Sequence, residues 1–201
     1  MGKKDLAPVL GLHLGVRAEG SAAKLLESFQ KGVRKAGAQM EILSVHGRKI
    51  EGCRACGGCE KTGHCVIGDD MGIFYEALET VPRLVVSAPV YFYGVPAQGK
   101  AMIDRLQVFW ARQYRLKQKR DFSHPPKGFV LSVGGTKGAD LFVPIVLCTK
   151  YMFDSLSFPK KFPFIGFRKI EEPGDLSFEQ LARIEKCGED FALDRSDIDL
   201  V

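Results

Sequence analysis

The sequence has no apolar run long enough to cross a membrane. Its longest uncharged stretch is the sixteen residues between Arg83 and Lys100, which Pro89 and Pro96 interrupt, whereas a spanning helix needs about 18 or more apolar residues. The start of the chain also lacks the small-residue cleavage site of a signal peptide. We therefore expect a cytoplasmic protein without a membrane partner, whose thiols are reduced and in which structural disulfides are rare.

Familiar nucleotide-binding and nucleic-acid-binding motifs are also missing. No G-x-G-x-x-G fingerprint and no G-K-S or G-K-T Walker ending follows the first predicted strand. The net charge of +5 is not accompanied by a DNA- or RNA-binding motif, and we predict no nucleic-acid partner. Residues 100–127 hold eight basic side chains against two acidic ones, which suits either a solvated face or the docking of an acidic partner or a nucleotide phosphate.

What the sequence does contain is the alternation of an α/β protein. Strand-like segments occur at 8–15, 38–46, 83–91, 128–135 and 164–170. Helical apolar spacing occurs at 21–36, from Asp69 or Asp70 to 81, from Pro96 through Phe109, at about 140–156 and at 178–193. The pattern predicts a single domain over 1–201, with a five-stranded parallel sheet covered by helices on both faces.

Ligands of such sheets bind beyond the carboxyl ends of the strands. The loop after strand one carries Gly15, Arg17, Gly20 and Ser21 directly before the first helix. Free backbone amides, a hydroxyl and a guanidinium together suit a phosphate group. An ordinary turn with Ser21 as the helix N-cap explains the same residues equally well.

The loops after strands three and four also suit a ligand. The segment from Pro89 to Gly94 is stiff and aromatic, as a planar ligand requires, although Tyr91 and Phe92 could simply cover the sheet edge. Gly134 and Gly135 after strand four allow close backbone approach. Together the three loops predict a planar cofactor that carries a phosphate.

The order of elements, the first loop, "PVYFYGVPAQGKAMIDR" and "GGTKG" together resemble the flavodoxin-like NADPH-dependent FMN reductase family. The run "CRACGGCEKTGHCVIGDDM" resembles the iron-sulfur flavoprotein branch of that family. The resemblance implies a flavodoxin-like three-layer sandwich with strand order 2-1-3-4-5, and an FMN-dependent oxidoreductase. It also implies a homodimer or homotetramer.

The resemblance assigns FMN contacts position by position. The chain matches the family's Gly-Ser-Pro-Arg opening only at Arg17, and Ser21-Ala22 replaces its Asn-Thr pair, so two side-chain phosphate donors are absent. The implied cofactor-binding residues are Gly15, Arg17, Gly20, Ser21 and Ala22 for the phosphate, Pro89, Val90, Tyr91, Phe92, Tyr93 and Gly94 for the ring, and Gly134 and Gly135 to complete the pocket.

Four of the six cysteines form a C-x2-C-x2-C-x5-C run within residues 52–68, which we call the cysteine loop: Cys53, Cys56, Cys59 and Cys65. Structural zinc usually draws on two pairs separated by a dozen or more residues, whereas ligands three apart are typical of iron-sulfur clusters. We predict a 4Fe-4S cluster held by all four, while zinc, a metal-free loop and disulfides stay open. Cys148 and Cys187 are predicted to be buried core thiols without a role.

These features predict an enzyme that passes electrons between a 4Fe-4S cluster and FMN. The alternatives are an NAD(P)H-dependent FMN or quinone reductase whose loop holds zinc or nothing, and a non-enzymatic redox-sensing module. Ferredoxin or NAD(P)H is the expected electron donor. A quinone, dioxygen or peroxide is the expected small-molecule acceptor.

Overall fold

The computed structural model describes residues 6–195, and within them one parallel sheet of strand order 2-1-3-4-5. This confirms the predicted strands and their order. The predicted single domain over 1–201 stays a prediction, since residues 1–5 and 196–201 lie outside the described range. The strands are β1 (Val9–His13), β2 (Met40–Ser44), β3 (Arg83–Pro89), β4 (Lys127–Gly134) and β5 (Phe164–Arg168).

The α-helices agree with the sequence prediction in all but two places, and a short 3₁₀ helix at Pro173–Asp175 was also not predicted. The predicted third helix is two helices. The backbone N–H of Leu106 donates to the carbonyl of Ile103, three residues earlier, and not to that of Met102, four residues earlier, so the regular α-helix is interrupted there. A short helix inside the cysteine loop was not predicted. The helices are α1 (Ser21–Lys35), α2 (Gly58–Thr62), α3 (Met71–Thr80), α4 (Ala97–Arg105), α5 (Gln107–Tyr114), α6 (Val143–Ser155) and α7 (Phe178–Ala192).

The sheet separates two apolar cores. Helices α1 and α7 cover one face, and α3 to α6 cover the other. The central strands β3 and β4 are buried on both faces, which explains their nearly continuous apolar sequences. None of the helices within residues 6–195 combines the length and the apolar character needed to cross a bilayer.

Helices α1 and α7 pack at backbone contact through two glycines. A Cβ atom at Gly32 would lie 1.8 Å from the carbonyl oxygen of Glu185, and one at Gly188 would lie 2.1 Å from that of Phe29. No side chain fits at either position unless the helices separate. The pair therefore fixes how closely α7 approaches α1.

We expect Gly188→Ala to lower the free energy of unfolding by about 3 kcal/mol, because the added methyl group meets backbone atoms that cannot turn aside. Gly72→Ala in α3 is the matched control, since no atom lies within 4 Å of its new Cβ. That change should raise stability by up to about 1 kcal/mol. Urea denaturation measures both variants, and equal effects would contradict the glycine contact.

Candidate functional site

A cavity of about 310 Å³ is formed by the loops that follow β1, β3 and β4. This agrees with the rule that α/β sheets bind ligands at the carboxyl ends of their strands, and the volume lies at the lower end of ordinary ligand sites. Ten of the thirteen cofactor-binding residues predicted from the sequence line it: Gly15, Arg17, Gly20, Ser21, Ala22, Pro89, Val90, Tyr91, Gly134 and Gly135.

The remaining three residues lie beside the cavity in a tight turn. The backbones of Tyr91 and Gly94 exchange two hydrogen bonds of 2.9 and 2.8 Å. Phe92 and Tyr93 between them both have positive φ angles, of 47° and 60°, as the two central residues of a type I′ turn require. Phe92 is fully exposed at the tip, so the turn presents an aromatic ring to solvent beside the cavity.

Ser21 is the first helical residue of α1, and it is not the N-cap. Gly20 occupies the cap position without a side-chain cap, and Ser21 is 5% exposed. Its hydroxyl finds no hydrogen-bond partner among the described residues, so the alternative reading of Ser21 as an N-cap is wrong. A buried hydroxyl without a partner is costly, and it lies beside the free amides that make a helix start attractive to anions. The arrangement fits a phosphate group.

The start of α1 is tied directly to the sheet. The hydroxyl of Ser87 in β3 is buried and donates to the carbonyl oxygen of Ala22 at 2.6 Å. Arg17 is exposed in the loop before α1, and its Nη2 donates to the carbonyl oxygen of Glu171 at 3.4 Å. Ser21 is therefore held rigidly, while the guanidinium of Arg17 can turn toward a ligand.

Sequence reasoning missed His13 and Glu171, which also line this cavity. His13 ends β1 and is 3% exposed. Its Nε2 donates to the carbonyl oxygen of Arg17 at 3.0 Å, and its Nδ1 is without a partner in the described part of the chain. His13 could have been found from the sequence, because it is a polar residue at the end of an apolar strand, where ligands of such sheets bind. No pattern pointed to Glu171, which follows β5.

A second and larger cavity, of about 850 Å³, contains the four predicted metal-binding residues. Cys53, Cys56, Cys59 and Cys65 line it together with parts of α4, α5 and α6, and it shares no lining residue with the first cavity. Within residues 6–195, however, no group of three or more histidine, cysteine, aspartate or glutamate side chains is gathered closely enough to hold a metal ion. The fold brings the four cysteines to one cavity without bringing them to one point.

The thiols of the cysteine loop differ in their exposure to solvent. Cys53 and Cys56 are exposed, and Cys59 and Cys65 are half-buried. Burial, followed by the charges of the other three thiols, raises the pKa of Cys59. All six cysteines of the chain are free, so the described structure contains none of the disulfides left open by the sequence.

Cys148 does not occupy the buried position predicted for it. It is half-buried in α6 and lines the cysteine cavity near Lys100 and Asp104. The difference arises because α6 leaves Leu147 and Tyr151 exposed, so the helix turns part of its apolar surface toward this cavity. Cys187 in α7 is buried, as predicted.

The basic segment 100–127 is largely neutralised within the fold. Arg120, which has no carboxylate partner among the described residues, donates instead to backbone carbonyls of Leu78, Glu79 and Leu156. The segment therefore offers less free positive charge to a docking partner than its composition suggested. Five ion pairs account for this: Lys100–Asp104, Arg105–Asp69, Arg112–Glu79, Arg115–Glu60 and Lys127–Asp194.

Residues 8–143 match the family described as NADPH-dependent FMN reductase. Over 129 residues the chain is 30% identical to an iron-sulfur flavoprotein of Methanosarcina thermophila, an alignment that covers 64% of each protein. Over 130 residues it is 35% identical to an iron-sulfur flavoprotein of Archaeoglobus fulgidus, covering 64% of this chain and 60% of that one. The chain thus spans somewhat less than two thirds of the length of these curated relatives.

Solved structures share the fold. An NAD(P)H:quinone oxidoreductase from Methanothermobacter marburgensis superposes with a TM-score of 0.65 at 18% identity, over 91% of this chain and 98% of that one. A flavone reductase gives 0.64 at 17% identity, over 94% of this chain and 63% of that one. At these identities the likeness concerns the fold alone, and it confirms the flavodoxin-like three-layer sandwich.

The buried imidazole of His13 should make stability depend on pH. Burial, followed by the charge of His46, lowers the pKa of His13 below its usual 6.5. As pH falls through the usual histidine value of 6.5, the unfolded chain takes up this proton before the folded chain does, so stability should decrease until the folded chain is protonated as well. Thermal unfolding without added flavin should show a weaker decrease in His13→Gln. The control His124→Gln, which lies outside this cavity, should keep the wild-type slope, and a wild-type slope in His13→Gln would contradict the assignment.

Proposed function

Because the chain belongs to the NADPH-dependent FMN reductase family, we propose that it is an FMN-dependent oxidoreductase that passes electrons between a 4Fe-4S cluster and FMN. One observation carries the proposal. Two of the cavities formed by the described residues are separate from each other: one lies at the start of α1 and includes Ser21, and the other is lined by four cysteines. A flavin reductase without a cluster requires only the first of them.

In this proposal the first cavity holds FMN. The hydroxyl of Ser21 and the free amides at the start of α1 bind the phosphate, and Arg17 adds a charge at the cavity mouth. Pro89 and Tyr91 form the bed for the ring, which Gly134 and Gly135 complete. The unpartnered hydroxyl of Ser21 is the structural feature that supports this placement.

The four cysteines of the loop hold the cluster in this proposal. Thiolates are the usual ligands of iron-sulfur clusters, and the C-x2-C-x2-C beginning suits a cubane. The named iron-sulfur flavoproteins among the relatives support this choice. Since the thiols line one cavity but are not gathered, the loop must draw them together when it binds metal.

When bound, an iron-sulfur cluster would exchange single electrons, and a flavin, which can take electrons singly and hold two, would link that exchange to two-electron chemistry. The chain's own residues bind, orient and shield these groups. NAD(P)H is the proposed electron donor, as the family description suggests, with ferredoxin as the alternative. The neutralised basic segment gives ferredoxin no separate support. A quinone, dioxygen or peroxide is the proposed acceptor.

We also propose a homodimer or homotetramer in the reducing cytoplasm. Val143, Leu147 and Tyr151 are exposed at intervals of four residues on one side of α6, and such an apolar stripe is typical of an interface. Two of these residues border the cysteine cavity. A second copy covering this stripe would also shield the cluster from water.

An FMN or quinone reductase without a cluster is the second candidate. It is favoured by the separation of the four thiols, which form no metal-binding group within the described residues. In that case the loop holds zinc or no metal. The cofactor content of the purified protein distinguishes the two candidates.

Protein purified without oxygen should show flavin absorbance over a broad shoulder near 400 nm, with about four iron and four sulfide per chain. Cys56→Ser should lose the iron and sulfide while keeping its FMN, because the two cavities share no residue. Cys148→Ser is the control, since it borders the same cavity outside the four-cysteine run, and it should keep the cluster. Iron-free wild-type protein, or protein that contains only zinc, would favour the second candidate.

Ser21→Ala should weaken FMN binding by about tenfold or more, the value of one hydrogen bond to a charged group. The same change should raise the melting temperature of the FMN-free protein, because it removes a buried hydroxyl that lacks a partner. Ser28→Ala, also buried in α1 but away from the cavity, is the control and should leave FMN affinity unchanged. Fluorescence titration with FMN and thermal unfolding test both effects, and unchanged affinity in Ser21→Ala would refute the phosphate placement.

A further inference from the structure

Arg105, the last residue of α4, forms a buried ion pair below the cysteine loop. Its side chain is 1% exposed, and that of its partner Asp69 is 2% exposed. Nη1 donates to Oδ2 of Asp69 at 2.9 Å, and Nη2 donates to Oδ1 at 3.1 Å. This two-point contact fixes the plane of the guanidinium.

The same guanidinium holds both ends of the loop. Nη1 donates to the carbonyl oxygen of Glu51 at 3.0 Å, and Nη2 donates to that of Ile67 at 3.2 Å. These residues lie two positions before Cys53 and two positions after Cys65. One side chain therefore sets the distance between the points where the loop leaves the fold and returns to it.

Asp69 reinforces this arrangement from the other side. Its carboxylate accepts the amide of Glu51 at 2.8 Å and the amide of Met71 at 3.1 Å. Although burial alone acts to raise it, these bonds and those from Arg105 hold the pKa of Asp69 below its usual value. The carboxylate thus stays charged and keeps the guanidinium in place.

Cys65 and Arg105 line the same cavity. The hydroxyl of Tyr75 donates to the backbone carbonyl of Arg105 at 2.9 Å. Arg105 borders the cysteine cavity, and its buried Nε has no partner among residues 6–195. A donor and a positive charge are therefore available on the side of the last cysteine.

We propose that Arg105 is a positioning residue for the cysteine loop, closing its base and placing a donor and a positive charge beside Cys65. This charge offsets the repulsion between thiolates drawn together on one metal group. The part that concerns the bound cluster rests on the function proposed above, whereas the closure of the loop does not. Lysine cannot replace arginine here, because it has no planar fork for four simultaneous acceptors.

Arg105→Lys tests the proposal, because it keeps the charge but not the fork. Arg83→Lys is a matched control. Arg83 is also buried, pairs with Asp194 and donates to the carbonyl of Phe191, and its Nε has no partner among the described residues. It differs from Arg105 because it lies outside the cysteine cavity. Both variants should lose stability in urea. Only Arg105→Lys should alter the loop.

In metal-free protein we expect Arg105→Lys to speed amide hydrogen exchange across residues 52–68 at least tenfold, and Arg83→Lys to leave it unchanged. After anaerobic purification, Arg105→Lys should hold less than half of the wild-type iron and sulfide, with wild-type FMN. Loop exchange and iron content equal to the wild type would overturn the proposal. Losses in both variants that simply follow their losses of stability would also overturn it, because they would show a purely structural role.

Arg105→Gln removes the positive charge as well as the fork. We expect it to hold less iron and sulfide than Arg105→Lys, because thiolates drawn together on the metal then lose a neighbouring positive charge. Equal iron content in the two variants would overturn the electrostatic part of the proposal. If the wild-type protein contains no iron, the proposed function fails, and the exchange experiment on metal-free protein still decides whether Arg105 closes the loop.

Discussion

Parallel pairing of the strands is the constraint on which the first cavity depends. The register sets His13 opposite Ser87, and Pro89 opposite Val133, so the loops after β1, β3 and β4 must begin at the same edge. The start of α4 is then held against the residue that follows β1, since a Cβ at Gly99 would lie 2.7 Å from the carbonyl oxygen of Leu14. The cavity is therefore a consequence of backbone geometry, and its side chains adapt it to a ligand.

Backbone periodicity explains why the fold and most of this cavity could be predicted from the sequence. Buried strands need continuous apolar runs and surface helices need spaced ones, so the five strands and the main helices are visible in the pattern. The break at Leu106 is not visible, because the apolar spacing continues through it. The position of Cys148 could not be predicted either, since an apolar helix face has the same sequence pattern whether it packs on the core or lines a cavity. His13 differs from these two, because its place at the end of a strand was visible but was not used.

The pairing of charges, unlike the fold, could not be predicted from the sequence, because composition gives the number of charged residues but not their partners. The basic segment suited either a solvated face or a docking surface, yet four of its five carboxylate partners come from distant parts of the chain. Asp69 is 36 residues from Arg105, Glu79 is 33 residues from Arg112, and Asp194 is 67 residues from Lys127. Only the folded chain brings these groups together. Among the five pairs, that of Arg105 with Asp69 is almost completely excluded from water, so it is the one in which loss of a partner leaves an uncompensated buried charge.

The glycine contact between α1 and α7 affects anion binding at the start of α1 as well as the packing of the two helices. Gly32 lies eleven residues after Ser21 on the same helix, so α7 holds one end of α1 by backbone contact while Ser87 ties the other end to the sheet. A helix held at both ends has little freedom left to lose when an anion arrives. Binding at its start therefore incurs little loss of conformational entropy. It also discriminates by fit, because a helix that cannot shift does not adjust its amides to an anion of another size.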